Sequence, residues 1–174
     1  MPEKSGDTRR IRKFGIRPKF MAMKFIVDCM LGKLAKWLKI LGFDVIFFSK
    51  AEDDDLLHLA RREGRTLVSK DHALLRRAKG VKALYIESEI WEEQVRQVLD
   101  HFDLRAKVRP YSRCLECNAL LKPLPKSKAV NLVAPFVFER ARSFALCLSC
   151  GRVYWQGTHY GDMEAKLAEL LKKS

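Results

Sequence analysis

Four cysteines fall in two matched pairs, Cys114-Leu-Glu-Cys117 and Cys147-Leu-Ser-Cys150. Two residues between thiols let a tight turn aim both sulfurs at one ion. The 29 residues between the pairs are enough for a hairpin that returns the second turn beside the first. Four thiolates around zinc would leave no open coordination position, so such an ion would hold structure rather than activate water. The competing readings are four buried thiols or two disulfides; the paired spacing favours zinc. The fifth cysteine, Cys29, is expected to be a small buried hydrophobe. Chemistry on a substrate must come from other residues.

Aspartates are the candidates. Asp28 directly follows the apolar run Lys24–Val27, and Asp71 follows Thr66–Ser69 at the opening of a helical pattern. Asp53, Asp54 and Asp55 open another helix just after the strand-like run 45–48. Carboxylates delivered to one edge raise one another's pKa, and a divalent cation relieves that cost. Hard oxygen ligands suit magnesium or manganese, and such an ion could activate water against a phosphodiester. Helix capping by itself accounts for Asp53 and Asp71. Asp28 has less local justification.

The elements that must position these acids alternate. Strand patterns at 24–27, 45–48, 66–69 and 83–86 are separated by helical patterns at 30–41, 53–63 and 71–78, with a longer helix at 88–102. In the first helix Leu31, Leu34, Ala35, Leu38 and Leu41 form the apolar stripe, while Lys33, Lys36 and Trp37 lie off it. This order predicts an α/β fold with a parallel sheet covered by helices on both faces. Right-handed crossovers then place the strand C-termini along one edge, where ligands bind. Prolines in 118–146 argue for an extended basic insertion between the cysteine turns. Leu167, Leu170 and Leu171 predict a final helix docked on the ribbon or the main domain.

The charge is regional. Of the formal net +13, residues 1–22 carry +5, residues 23–104 carry zero and residues 105–160 carry +8. A polyanion such as RNA is the natural partner of such segments, with solubility as the plainer reading. Lys33 and Lys36, just after Asp28, and Arg113, Lys122 and Arg152 around the cysteine turns are candidate RNA contacts. Tyr154, Trp155, His159 and Tyr160 cluster after the last cysteine pair, either to stack on unpaired bases or to fill a small core. No apolar run is long enough to span a bilayer, and the basic N-terminus lacks the apolar stretch of a secretory signal. Thiols committed to a metal point to a reducing, cytoplasmic setting.

The stretch from Phe25-Ile-Val-Asp28 through Gly42-Phe-Asp44 resembles the opening of the Mut-seven C-terminal family of PIN-like ribonucleases. Ser69-Lys-Asp71-His-Ala-Leu-Leu is similar to that family's second acidic motif. Arg113-Cys-Leu-Glu-Cys-Asn118, Cys147 to Trp155 and Gly157-Thr-His159-Tyr160 resemble its zinc ribbon. The resemblance implies a PIN-like nuclease domain at 23–104 and a zinc ribbon at 105–162; composition and periodicity add a flexible basic arm at 1–22 and a helix at 163–174. It also implies metal-dependent cleavage of RNA, with Asp28, Asp71 and an acid from 53–55 as the site. Glu87 and Glu89 are weak candidates for a fourth acid, and Asp44 lies at the wrong end of its strand. The alternative is a non-catalytic RNA- or ribosome-binding protein on the same fold.

Overall fold

The computed structural model describes residues 23–157 and 160–172. The basic arm expected over 1–22, and His159, lie outside them. Strands β1 (Lys24–Val27), β2 (Asp44–Phe47), β3 (Thr66–Ser69) and β4 (Ala83–Tyr85) form a parallel sheet in the order β2-β1-β3-β4. Helices α1 (Gly32–Ile40), α2 (Asp53–Glu63) and α3 (His72–Arg77) make the crossovers that parallel pairing requires, and α4 (Trp91–His101) follows β4.

Alternation along the strands sends side chains to opposite faces. Phe25, Val27 and Val68 join the core built with α1 and α4, while Ile26 and Leu67 join the core built with α2 and α3. Each large apolar side chain sealed in this way contributes roughly 1.5–3 kcal/mol. β1 and β3 are covered on both faces, which is why they read as short continuous apolar runs.

Trp37 departs from the sequence expectation. It is buried and stacks on Trp91 of α4, with centroids 4.8 Å apart and planes at 14°. Because α4 packs along α1, it covers a face of α1 wider than the leucine stripe. Cys29 departs in the other direction: it is exposed, in a single 3-10 turn (Cys29–Leu31) that precedes α1.

A second, antiparallel sheet holds β5 (Leu121–Leu124), β6 (Phe144–Cys147) and β7 (Val153–Trp155). The excursion between β5 and β6 is not extended throughout. It carries the short helices α5 (Lys126–Ala129) and α6 (Pro135–Arg140). Pro135 occupies the first turn of α6, where its missing N–H has no cost, so here proline starts a helix. Ala129, Val137, Ala141 and Phe144 form a small core of their own. The last helix, α7 (Tyr160–Leu171), docks on the main domain, burying Leu167 and Leu170 in its core. Arg105 Nη1 donates to the Leu170 carbonyl at 2.7 Å and secures that seat.

Candidate active site and metal centre

The sheet order reverses between β1 and β3, and Asp28 and Ser69 stand at the ends of those strands. The Asp28 backbone N–H continues the ladder by donating to the Val68 carbonyl at 3.0 Å. Its side chain is only 6% exposed, and Ser69 is fully buried. Ser69 Oγ lies 2.6 Å from Asp28 Oδ2 and 2.9 Å from the Asp71 backbone nitrogen. An amide can only donate, so the hydroxyl accepts from Asp71 and turns its own proton to Asp28. Among the described residues no lysine or arginine forms an ion pair with Asp28. A buried carboxylate with only neutral donors and no counter-charge is chemically suited to a bound cation.

Asp71 has a split role. Its Oδ1 accepts from Ala73 N at 2.6 Å and Leu74 N at 3.3 Å, so it caps α3 as its position suggested. Asp53 is not a cap, because Glu52 occupies that position and α2 already includes Asp53. Arg77 Nη1 instead holds Asp53 Oδ2 at 2.9 Å, and the same guanidinium pairs with Asp54. Asp55 is exposed in the same turn. The hydrogen bonds thus tie Asp71 to Asp28 through Ser69 and direct Asp53 and Asp54 toward α3. Glu89 pairs with Lys70, and His72 stacks on Tyr85 at 4.0 Å rather than pairing with Asp71. The exposed Cys29 thiol bonds the Asp28 carboxylate, which, with partial burial and the Asp28 charge, pushes the thiol pKa up.

The four cysteines converge. Their sulfurs all lie within 4.8 Å of one another, with Cys114–Cys150 at 3.6 Å and Cys117–Cys147 at 3.3 Å. Sulfurs around a tetrahedral zinc with ~2.3 Å bonds are separated by roughly 3.8 Å, so these side chains can hold such an ion. Each turn folds alike: Asn118 N donates to the Cys114 carbonyl at 3.0 Å and Gly151 N to the Cys147 carbonyl at 2.9 Å. Asn118 and Gly151 both take positive φ, 65° and 75°, which their residue types tolerate. The sequence reading left Tyr154 between a stacking and a packing role; its hydroxyl reaches Cys114 Sγ at 3.0 Å and accepts from Leu115 N at 3.1 Å. Burial opposes ionisation of Cys114, but the Tyr154 hydroxyl and the Cys117 and Glu116 amides outweigh it and bring the thiol down to about 6.

The ribbon joins the main domain at the edge opposite Asp28. Asp44 opens β2; its Oδ1 meets Arg65 Nη1 at 2.6 Å and Asn118 Nδ2 at 2.9 Å, and its Oδ2 lies 3.5 Å from Arg113 Nη2. Asn118 Oδ1 accepts from Val45 N at 3.1 Å, and Arg113 Nε donates to the Gly42 carbonyl at 3.2 Å. Lys39 Nζ donates to the Leu115 carbonyl at 3.0 Å. Burial works against the Asp44 charge, yet the hydrogen bond from Arg65 and the Arg113 charge hold its carboxyl below the usual range. Arg113 is therefore a docking residue whose donors face protein groups. Since β1 has 4 residues, the two edges stand on the order of 13 Å apart. Of the other candidate RNA contacts, Lys36, Lys122 and Arg152 are exposed, and Lys33 Nζ sits 4.9 Å above the Trp91 ring.

A parallel α/β sheet with a buried aspartate at its chain reversal, followed by a cluster of four cysteines that could hold a zinc ion, defines a mixed α/β protein. Residues 23–167 match the family model of the Mut7-C RNAse domain, and the chain belongs to that family. The chain is also similar to the human protein described as "Exonuclease mut-7 homolog", with 31% identity over 112 residues. That match covers 60% of this chain but only 13% of the human protein. No solved structure matches. The family's description as an RNAse domain points to a nuclease- or RNA-related function. Among the described residues no helix is long and apolar enough to cross a membrane.

Proposed function

We propose that this chain is a divalent-metal-dependent endoribonuclease that hydrolyses RNA phosphodiester bonds at the C-terminal edge of its parallel sheet. The supporting observation is the buried Asp28 carboxylate, held by Ser69 at 2.6 Å with no cationic partner among the described residues. Asp28 and Asp71 would hold magnesium or manganese, and the pairing of Arg77 with Asp53 and Asp54 favours Asp55 as the third acid. When bound, the ion would supply an activated water and neutralise charge developing at phosphorus. Ser69, bonded to Asp28 Oδ2, would hold the carboxylate in place for the ion. Lys36, exposed on α1, would hold a substrate phosphate near the acids.

The cysteines would bind a structural zinc. Lys122, Arg152 and the basic segment 1–22 would grip the RNA backbone electrostatically. Metal-bound thiolates suit a reducing, cytoplasmic compartment. The second reading is a non-catalytic protein that binds RNA, ribosomal RNA included. It is favoured by the engagement of Asp53 and Asp54 with Arg77 and of Asp71 Oδ1 with the α3 amides.

The deciding experiment compares wild type with Asp28→Asn on single-stranded and structured RNA in magnesium and in manganese. Cleavage by the variant should fall by at least about 100-fold while RNA affinity is retained. Equal rates would remove Asp28 from the mechanism. RNA binding without cleavage by the wild-type protein would move the assignment to the second reading.

A further inference from the structure

A cavity of about 630 Å³ opens where the ribbon, α6 and the start of α7 meet the C-terminal end of α1. Its size falls within the ~300–1,000 Å³ of ordinary ligand sites. Trp155, Phe136, Tyr154 and Tyr160 line it, together with Gln156 and the Arg140 guanidinium. Trp155 is 45% exposed and Phe136 63% exposed, although both are large aromatics that gain from burial. Arg140 is exposed at the last turn of α6, and no group among the described residues pairs with it.

We infer that this cavity binds an unpaired nucleobase of single-stranded RNA, a deepening of the proposed function that rests on RNA being the substrate. Aromatic faces accept any base by stacking, and the exposed guanidinium beside them adds an attraction for phosphate that a purely apolar ligand would not use. Arg140 suits the phosphate beside the stacked base, and the Gln156 amide can both donate to and accept from a base edge. The surrounding segment 105–160 carries net +8, which favours a polyanion over a neutral apolar peptide. The cavity includes Ile40 and Tyr111, whose backbones pair at the N-terminal edge of the sheet. Asp28 stands at the other edge. The held base is therefore several nucleotides from the bond cleaved, and short oligonucleotides will not reach both places.

The test measures binding of the full chain to a 12-nucleotide single-stranded RNA (~12 to span both edges) and to the same strand carrying abasic sites. Wild type should prefer the intact strand. Trp155→Ala should weaken intact-strand binding about tenfold and abolish the preference, while Trp155→Phe retains most of it. Arg140→Gln should reduce the slope of log affinity against log salt by about 0.7. Both positions are exposed, and retained zinc content checks that the ribbon is intact. If wild type binds RNA but Trp155→Ala binds both strands as wild type does, the cavity serves another ligand and only this inference falls. If wild type binds neither strand, the RNA reading falls and takes the inference with it.

Discussion

The Ser69 hydroxyl stands 2.6 Å from Asp28 Oδ2, and the Asp71 amide, which donates to Ser69 Oγ at 2.9 Å, fixes which way the hydroxyl proton points. Residues from the ends of neighbouring strands are thereby locked into a directed chain: amide to hydroxyl, hydroxyl to carboxylate. The carboxylate it holds is buried and lacks a counter-charge among the described residues, the condition in which a cation is most strongly favoured.

Ser69→Ala should lower metal-dependent RNA cleavage by about 10–100-fold, because supporting hydrogen bonds orient a metal's carboxylate ligands. RNA affinity should not change. The lost donor leaves the buried Asp28 less well satisfied, at a stability cost of about 1–3 kcal/mol in urea unfolding. A variant with the wild-type cleavage rate would show that the chain only stabilises the fold.

Asp44→Asn should destabilise the protein by about 2 kcal/mol, since it leaves the buried Arg65 with Glu63, at 2.7 Å, as its one remaining carboxylate partner. The sign of the pH effect follows from the depressed Asp44 pKa. Its contribution is complete above the unfolded value of about 3.9 and is lost as pH falls through the lower folded value. Wild type and Asp44→Asn should therefore differ most near neutral pH and converge in strong acid. Urea midpoints measured across that range check this.

Gly42→Ala should cost more than about 2 kcal/mol. Gly42 has φ 94°, and a Cβ there would lie 2.2 Å from the Arg109 carbonyl oxygen. Backbone, not a movable side chain, blocks the space. The substitution should loosen the ribbon from the main domain, visible as faster amide exchange at Tyr111, whose N–H bonds the Ile40 carbonyl at 2.8 Å.

Chelation should release a single equivalent of zinc and unfold the ribbon while the parallel sheet persists, because separate clusters of side chains pack the two parts. Tyr154→Phe should weaken zinc binding about 10–100-fold through loss of the hydroxyl beside Cys114. Competition with a colorimetric chelator measures both effects. A stoichiometry of zero would leave the four thiols as a packed cluster and overturn the zinc assignment.

Much of the fold was legible because its signals are local. The α2 boundaries, 53–63, follow from acids at the start and Gly64, with φ 61°, at the end. The cysteine turns follow from spacing alone. The short helices α5 and α6 were missed because prolines were weighed as breakers, although Pro135 sits where a helix accepts it. Cys29 was misplaced because residue type predicts burial only on average, and the turn after Asp28 faces solvent. In the candidate site, Asp28 and Asp71 were identifiable from their positions after strands. The separate engagement of Asp53 and Asp54 was not, since Arg77 lies 24 and 23 residues away.

Neighbours within a few residues set the alternation of strands and helices, the acids at strand ends and the paired thiols, so these can be read directly from the chain. What those groups meet is set by long-range packing. Arg113 reads as a free cation but docks beside Asp44, 69 residues before it in the chain. Tyr154 reads as a base-stacking or core aromatic but supports Cys114, 40 residues away. A side chain's charge and shape are written in its residue type. Whether they face water, a metal or another residue depends on which distant segments the buried core brings beside it.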